Sequence, residues 1–366
     1  MKKIICIVGT RPEAIKMAPV IKELQKEKSF DVRVLATAQH REILDQVLNV
    51  FEIKPDIDIN IMRPDQKLAT LTGRLLIELD KALENEKPDA VLVQGDTTTV
   101  MSAALACFYR KIPVGHIEAG LRTWDIYNPY PEELNRVIAG KIAQWHFAPT
   151  EISKENLRKE GTLDEKIFVT GNTVVDALLK TIEGQPEIPF DVDPKRRLIL
   201  VTCHRRENFG EPLKNICHAL KILAENNPLV QFVFPVHPNP NVRSTVNGML
   251  SEISNITLCE PLGYVEFIAT MQRSYLILSD SGGVQEEAPA IGKPVLVLRE
   301  ETERPEAIME GVVKLVGSNT GKIVEETQRL LDDRASYDLM SHGVSPYGDG
   351  HASERITNIL RDFFNN

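Results

Sequence analysis

The stretch Ala90-Val91-Leu92-Val93-Gln94-Gly95-Asp96-Thr97-Thr98-Thr99 decides the fold class. Its first four residues are apolar without alternation, as in a strand covered on both faces, and Gly95 ends the run just before a helical stretch from Thr98 to Arg110. The same alternation extends outward in both directions. Upstream lie strand-like Lys3 to Val8, helical Pro12 to Lys26, strand-like Val32 to Thr37, and helical stretches from Arg41 to Phe51 and Leu68 to Asn85. Downstream, the run Ile112–Ile117 follows. Apolar strands separated by helices predict a parallel sheet with helices on both faces.

After a helical stretch from Thr173 to Ile182, Gly184–Pro194 carries three prolines and reads as a connector. The pattern then restarts with strand-like runs Leu198–Thr202, Phe232–Val236, Ile256–Leu258, Leu276–Ser279 and Pro294–Leu298. A chain of 366 residues exceeds the ~250–300 at which single cores stop growing, so two domains are expected. The tail from Ser353 to Phe364 has an apolar helical face that could pack on either. Two doubly wound units are expected to direct the carboxyl ends of their strands, where ligands bind, toward a shared cleft.

With 42% hydrophobic and 26% charged residues, the composition is that of a globular chain with a sizeable core. No apolar run approaches the ~20 residues needed to cross a bilayer, so a cytoplasmic protein with no membrane partner is expected. Five scattered cysteines without a C-x-x-C pair argue against a disulfide framework and against a zinc site. A net charge of −9 disfavours nucleic acid, and an anionic ligand requires local positive charge.

Several strand ends carry chemistry. Gly9-Thr10-Arg11-Pro12-Glu13 is an efficient strand-to-helix turn whose amides, with Arg11 and Lys16, could also hold an anion. It is neither a P-loop nor a dinucleotide fingerprint. Asp96 follows an apolar strand and suits either a ligand contact or a helix N-cap. Glu118, in His116-Ile117-Glu118-Ala119-Gly120-Leu121-Arg122, is functional or a structural partner of Arg122. Glu132 opens a helix and is placed to pair with Arg136 four residues on. If Asp96, Glu118 and Glu132 met, they would push one another's proton affinities apart, as acid and base roles require.

In the second half, Val201-Thr202-Cys203-His204-Arg205-Arg206-Glu207 sets an imidazole and two guanidiniums at a strand end, which suits a diphosphate. In Ser279-Asp280-Ser281-Gly282-Gly283-Val284-Gln285-Glu286-Glu287, a strand runs into bare amides and then a helix, with Glu287 expected in its first turn and open to ribose hydroxyls. Arg304 adds a cation, and His237 also stands at a strand end.

Taken in order over essentially the whole chain, the stretches around Gly9–Lys16, Gly95–Thr99, His116–Arg122, His204–Glu207 and Asp280–Gly283 resemble the bacterial UDP-N-acetylglucosamine 2-epimerases of the non-hydrolysing type. The resemblance implies a GT-B fold of two Rossmann-like domains, 1–171 with a final helix 351–366 crossing back, and 172–350, and usually a homodimer. It implies interconversion of UDP-GlcNAc and UDP-ManNAc without a cofactor. It makes Asp96, Glu118, Glu132 and His204 catalytic. Arg11, Lys16, Arg136 and His237 then join the substrate-binding set, with Ser281, Gly282 and Gly283 on the diphosphate, Glu287 on the ribose, Leu262 and Phe267 on the uracil, and Arg304 on a phosphate or the sugar. Some relatives carry a second UDP-GlcNAc site, matched here at Gln39, His40, Glu132, Arg205 and His237 but not at Glu42 and Asp65, so weak or absent activation by substrate is expected. A hydrolysing epimerase, a GT-B glycosyltransferase and a non-catalytic nucleotide-sugar module are the competing readings.

Overall fold

The chain divides into two units, residues Met1–Ala177 with Tyr347–Asn366, and residues Leu178–Pro346. The computed structural model describes residues 1–37, 41–61, 63, 66–342 and 345–365, the side chains of Arg41, Glu42, Ile43 and Arg206 excepted. Gln39, His40 and Asp65, singled out above for a second site, lie outside the described residues, as does the side chain of Glu42.

The first unit is built on seven parallel strands: β1 (Lys2–Val8), β2 (Phe30–Ala36), β3 (Ile57–Asp58), β4 (Ala90–Gln94), β5 (Val114–Ile117), β6 (Trp145–Ala148) and β7 (Ile167–Val169). Their order in the sheet is β3-β2-β1-β4-β5-β6-β7. β4 is buried along its whole length, as its unbroken apolar run predicts. The helix Thr98–Arg110 begins and ends where expected, because the Thr97 side chain caps it and Lys111 closes it in the left-handed conformation. The run read from Ile112 enters the sheet only at Val114, preceded by Pro113, which has no N–H to give a ladder. β3, β6 and β7, of two to four residues, went unread.

The second unit has six parallel strands: β8 (Arg197–Thr202), β9 (Val230–Pro235), β10 (Ile256–Cys259), β11 (Leu276–Ser279), β12 (Val295–Val297) and β13 (Val313–Leu315), in the order β10-β9-β8-β11-β12-β13. Its core joins β8, β9 and β11 to the helices Glu211–Asn226 and Thr320–Asp332 through Ile199, Val201, Leu220, Phe232, Leu278 and Leu330. The expected fold class, two doubly wound parallel-sheet units, is the one observed.

The helix Ala352–Asn365 packs on the first unit. Phe363 meets the edge of Trp145 at 4.8 Å and Phe364 that of Phe30 at 6.2 Å between ring centroids. Its first turn is held by the buried Asp176, which accepts hydrogen bonds from Ala352 N (3.2 Å), Ser353 N (2.7 Å) and Ser353 Oγ (2.6 Å). Burial raises the Asp176 pKa, with the Ser353 hydrogen bonds acting against it.

Candidate functional site

Each sheet reverses its strand order beside its first strand, between β1 and β4 and between β8 and β11. Ligands of doubly wound sheets bind outside the carboxyl ends of the strands at such switch points.

In the first unit, the amides of the turn after β1 are already engaged. Glu13 Oε2 accepts hydrogen bonds from Gly9 N at 2.6 Å and Thr10 N at 2.7 Å, and Oε1 accepts from the Thr97 hydroxyl in the turn after β4. The anion suited to those amides is thus a side chain of the same helix. Burial pushes the Glu13 carboxyl up to about 7, against the opposing pull of the hydrogen bonds from Thr97, Gly9 and Thr10. Arg11, half-buried, is the first residue of the helix Arg11–Lys26.

Asp96 is not the helix cap, because Thr97 takes that place with its side chain accepting from Val100 N. Asp96 instead pairs with Arg136 Nη2 at 2.8 Å, and its backbone carbonyl accepts from Asn135 Nδ2 at 2.9 Å. Glu118, just past β5, has φ +65°, a left-handed conformation costing a non-glycine residue on the order of 1–3 kcal/mol. Its Oε2 accepts from Lys16 Nζ at 2.6 Å and from the Gln94 side-chain amide. Gly120 follows at φ +92° against the Ser153 carbonyl, leaving no room for a side chain. The imidazole of His116 lies 2.7 Å from the Gly95 carbonyl, in the turn after β4; burial pushes its pKa down to about 3, so the ring is neutral.

One pair left open by the sequence and one expected from it are not formed. Arg122 does not pair with Glu118; its guanidinium binds Glu160 through both nitrogens at 2.7 and 2.8 Å. Arg136 does not take Glu132 as partner. It reaches Asp96 and, at 3.3 Å, Glu133, one residue further along the helix and buried inward. Glu133 also accepts from Thr123 N and Trp124 N, at 3.0 and 3.1 Å, and so fixes the loop before the helix. Glu132 is half-buried and makes no ion pair among the described residues. Asp96 and Glu118 each face a cation, Arg136 and Lys16.

In the second unit, Asp280, fully buried at the end of β11, spans the switch point. Its Oδ2 accepts from His204 N (2.9 Å), Arg205 N (2.8 Å) and Asn208 Nδ2 (2.9 Å), while His204 Nδ1 stands 3.0 Å from Oδ1. Burial acts to raise the Asp280 pKa, but His204, Arg205 N and Asn208 outweigh it and hold the carboxyl at about 2. The His204 ring stays exposed and lies 6.4 Å from that of His237 in a stacked orientation; His237 Nδ1 accepts from Asn239 N.

Ser281 donates its N–H to Ser279 Oγ at 2.9 Å and precedes the short helix Gly282–Glu287. Arg304 lies over Gly282, where a Cβ would come within 2.8 Å of its guanidinium, and Glu286 and Glu303 hold it at 2.7 and 3.2 Å. Glu287 closes that helix rather than opening it, yet it curls back: a Cβ on Gly283 would lie 3.5 Å from its Oε2. Leu262 and Phe267 flank the start of the helix Tyr264–Arg273, after β10. Sequence reasoning missed Glu13, Gln94, Glu133, Asp280 and Glu286 as the groups that hold the site, although Glu13, Gln94, Asp280 and Glu286 lay inside motifs already quoted.

Among the described residues no cluster of three or more His, Cys, Asp or Glu is arranged to hold a metal ion, all five cysteines are free, and no helix is long and apolar enough to cross a membrane.

A family model described as UDP-N-acetylglucosamine 2-epimerase matches residues 22–361. The UDP-N-acetylglucosamine 2-epimerase of Yersinia pestis is 52% identical over 370 residues, spanning 98% of either chain. Among solved structures, the UDP-GlcNAc 2-epimerase of Neisseria meningitidis bound to UDP-GlcNAc matches with a TM-score of 0.92 and 52% identity over 98% of this chain and 100% of that one. The Methanocaldococcus jannaschii UDP-GlcNAc 2-epimerase in complex with UDP-GlcNAc and UDP matches at 0.81 and 37% identity, over 98% and 99% of the two chains. With identity at this level over nearly the full length, and site residues at the carboxyl ends of both sheets, the chain belongs to the UDP-N-acetylglucosamine 2-epimerase family.

Proposed function

We propose that the chain interconverts UDP-GlcNAc and UDP-ManNAc by eliminating UDP to a 2-acetamidoglucal and adding it back. The C2 proton has no neighbouring carbonyl to acidify it, so direct removal by a carboxylate would be very slow. Cleavage of the C1–oxygen bond develops positive charge at C1 and makes that proton acidic. A base takes the proton while the electron pair of the C1–oxygen bond leaves with UDP. A proton delivered to the opposite face of C2, with UDP returning to C1, completes the inversion.

The observation that carries this reading is the pair of carboxylates at adjacent strand ends of the first unit, Asp96 against Arg136 and Glu118 against Lys16, each held beside a cation. With Glu132 they form the proposed proton-handling set, and Arg11, Lys16 and Arg136 would orient the sugar. In the second unit, Ser281, Gly282, Gly283 and Arg304 would hold the diphosphate, Glu287 the ribose, Leu262 and Phe267 the uracil. His204, oriented by Asp280 and neighboured by His237, would donate a hydrogen bond or proton to the departing UDP. The reading extends to a cytoplasmic homodimer that retains UDP between the two half-reactions, needs no metal or cofactor, and is at most weakly activated by its own substrate, Arg205 being part of the second-site pattern.

Incubation with UDP-GlcNAc in heavy water, followed by proton NMR, tests it. Deuterium at C2 of both UDP-sugars is expected, and Asp96→Asn, Glu118→Gln and Glu132→Gln should each abolish the exchange. Free ManNAc would point to hydrolysis instead, and normal turnover in all three variants would remove the carboxylate assignment.

A further inference from the structure

We infer that Glu13 is a positioning residue for the reaction proposed above, its carboxylate locking the turn that launches Arg11 and Lys16 to the turn that carries Asp96. The inference rests on that reading of the first unit. Glu13 is 2% exposed, so it acts through other groups rather than on the sugar. One oxygen is committed to Gly9 N and Thr10 N after β1, the other to the hydroxyl of Thr97, next to Asp96. Thr97 in turn caps the helix Thr98–Arg110. One turn beyond Glu13, Lys16 makes the 2.6 Å ion pair with Glu118. A shift of the turn after β1 is therefore a shift of the Lys16–Glu118 pair relative to Asp96.

The surroundings leave the lock little play. A Cβ on Gly9 would stand 2.5 Å from Thr99 Oγ1, 2.6 Å from Thr37 Oγ1 and 3.1 Å from Glu13 Oε2, and the two threonine hydroxyls are themselves 3.2 Å apart. The internal carboxylate also occupies the amides at which a helix start otherwise receives a ligand's anionic group.

The chemistry of the lock selects the test. In Glu13→Gln the amide oxygen still accepts from Gly9 and Thr10, but the NH2 group can only donate toward Thr97 Oγ1, and the threonine proton loses its acceptor. Thr97→Val removes the hydroxyl altogether, whereas Thr97→Ser keeps it. Steady-state kinetics with UDP-GlcNAc should show kcat lowered about 10- to 100-fold in Glu13→Gln and Thr97→Val, with KM within about twofold, and near wild-type values in Thr97→Ser. A Glu13→Gln chain with wild-type kcat, a loss carried by KM, or an equal loss in Thr97→Ser would each overturn the inference. Should Glu13→Gln fail to fold, the valine and serine variants decide by the same criteria. A wild-type chain without epimerase activity would remove the reading of function, and this inference with it.

Discussion

The two switch points solve one problem with opposite electrostatics. In the first unit Glu13 grips the amides of Gly9 and Thr10 after β1 and reaches Thr97 after β4. In the second, Asp280 after β11 grips the amides of His204 and Arg205 after β8. Both carboxyls are buried and both staple the loop of the first strand to the loop of the fourth. Glu13 faces backbone amides and a hydroxyl, and burial carries its pKa up to about 7. Asp280 has an imidazole at 3.0 Å and sits at about 2. Burial alone therefore does not fix the charge of a carboxyl; a titratable partner beside it does. The first staple can be protonated near neutrality, while the second stays an anion that orients His204.

The sharpest way to break this contrast is to remove each carboxylate. Asp280→Ala strands two amides, the Asn208 side chain and His204, and should cost about 3–5 kcal/mol in urea denaturation. Glu13→Ala leaves amides and a hydroxyl but no cation, and about 1–3 kcal/mol is expected. If the order of the two losses were reversed, the contrast would be wrong.

Acidity sharpens it further. The folded pKa of Glu13 lies above its ordinary value of 4.5, so the folded state holds that proton more tightly than the unfolded chain. Its contribution to stability is complete below 4.5 and is lost as pH rises through about 7. Asp280 runs the other way: its contribution is present above 3.8 and disappears as pH falls through about 2. Urea midpoints at several pH values between these limits should show a decline toward neutrality in the wild type that is flattened in Glu13→Gln; an unchanged slope would refute the assignment.

The smallest effect serves as a control. Thr150 and Asn319 cap helices in the first and second units by accepting from Ser153 N (3.1 Å) and Lys322 N (3.0 Å). Alanine at either should cost about 1 kcal/mol. Equal thermal shifts there would confine the difference between the units to their buried staples, and a markedly unequal pair would show it to be general.

What was legible in the sequence followed from local rules. The unbroken apolar run of β4 and the Thr-rich start of the helix Thr98–Arg110 gave a strand, a turn and a helix at the right positions, because periodicity and capping act within a few residues. β7, three residues long, and β13, also three, carry no such signal. Asp96, Glu118 and His204 were legible as polar groups at strand ends. Their partners were not, since Lys16 lies 102 residues from Glu118 and Asp280 76 from His204. The same limit explains the error at Arg136: helical spacing offered Glu132, but Asp96, distant in sequence, and the buried Glu133 hold the guanidinium.

The grip of Asp176 on Ala352 and Ser353 also has a temporal meaning. Synthesis in chain order produces all of Leu178–Pro346 before it delivers the helix that covers Trp145 and Phe30. The earlier-made unit is thus the later one to be finished. While the ribosome is still at work, Trp145 and Phe30 lack the two phenylalanines that cover them, and a fragment stopping at residue 177 should be sticky where the intact chain is not.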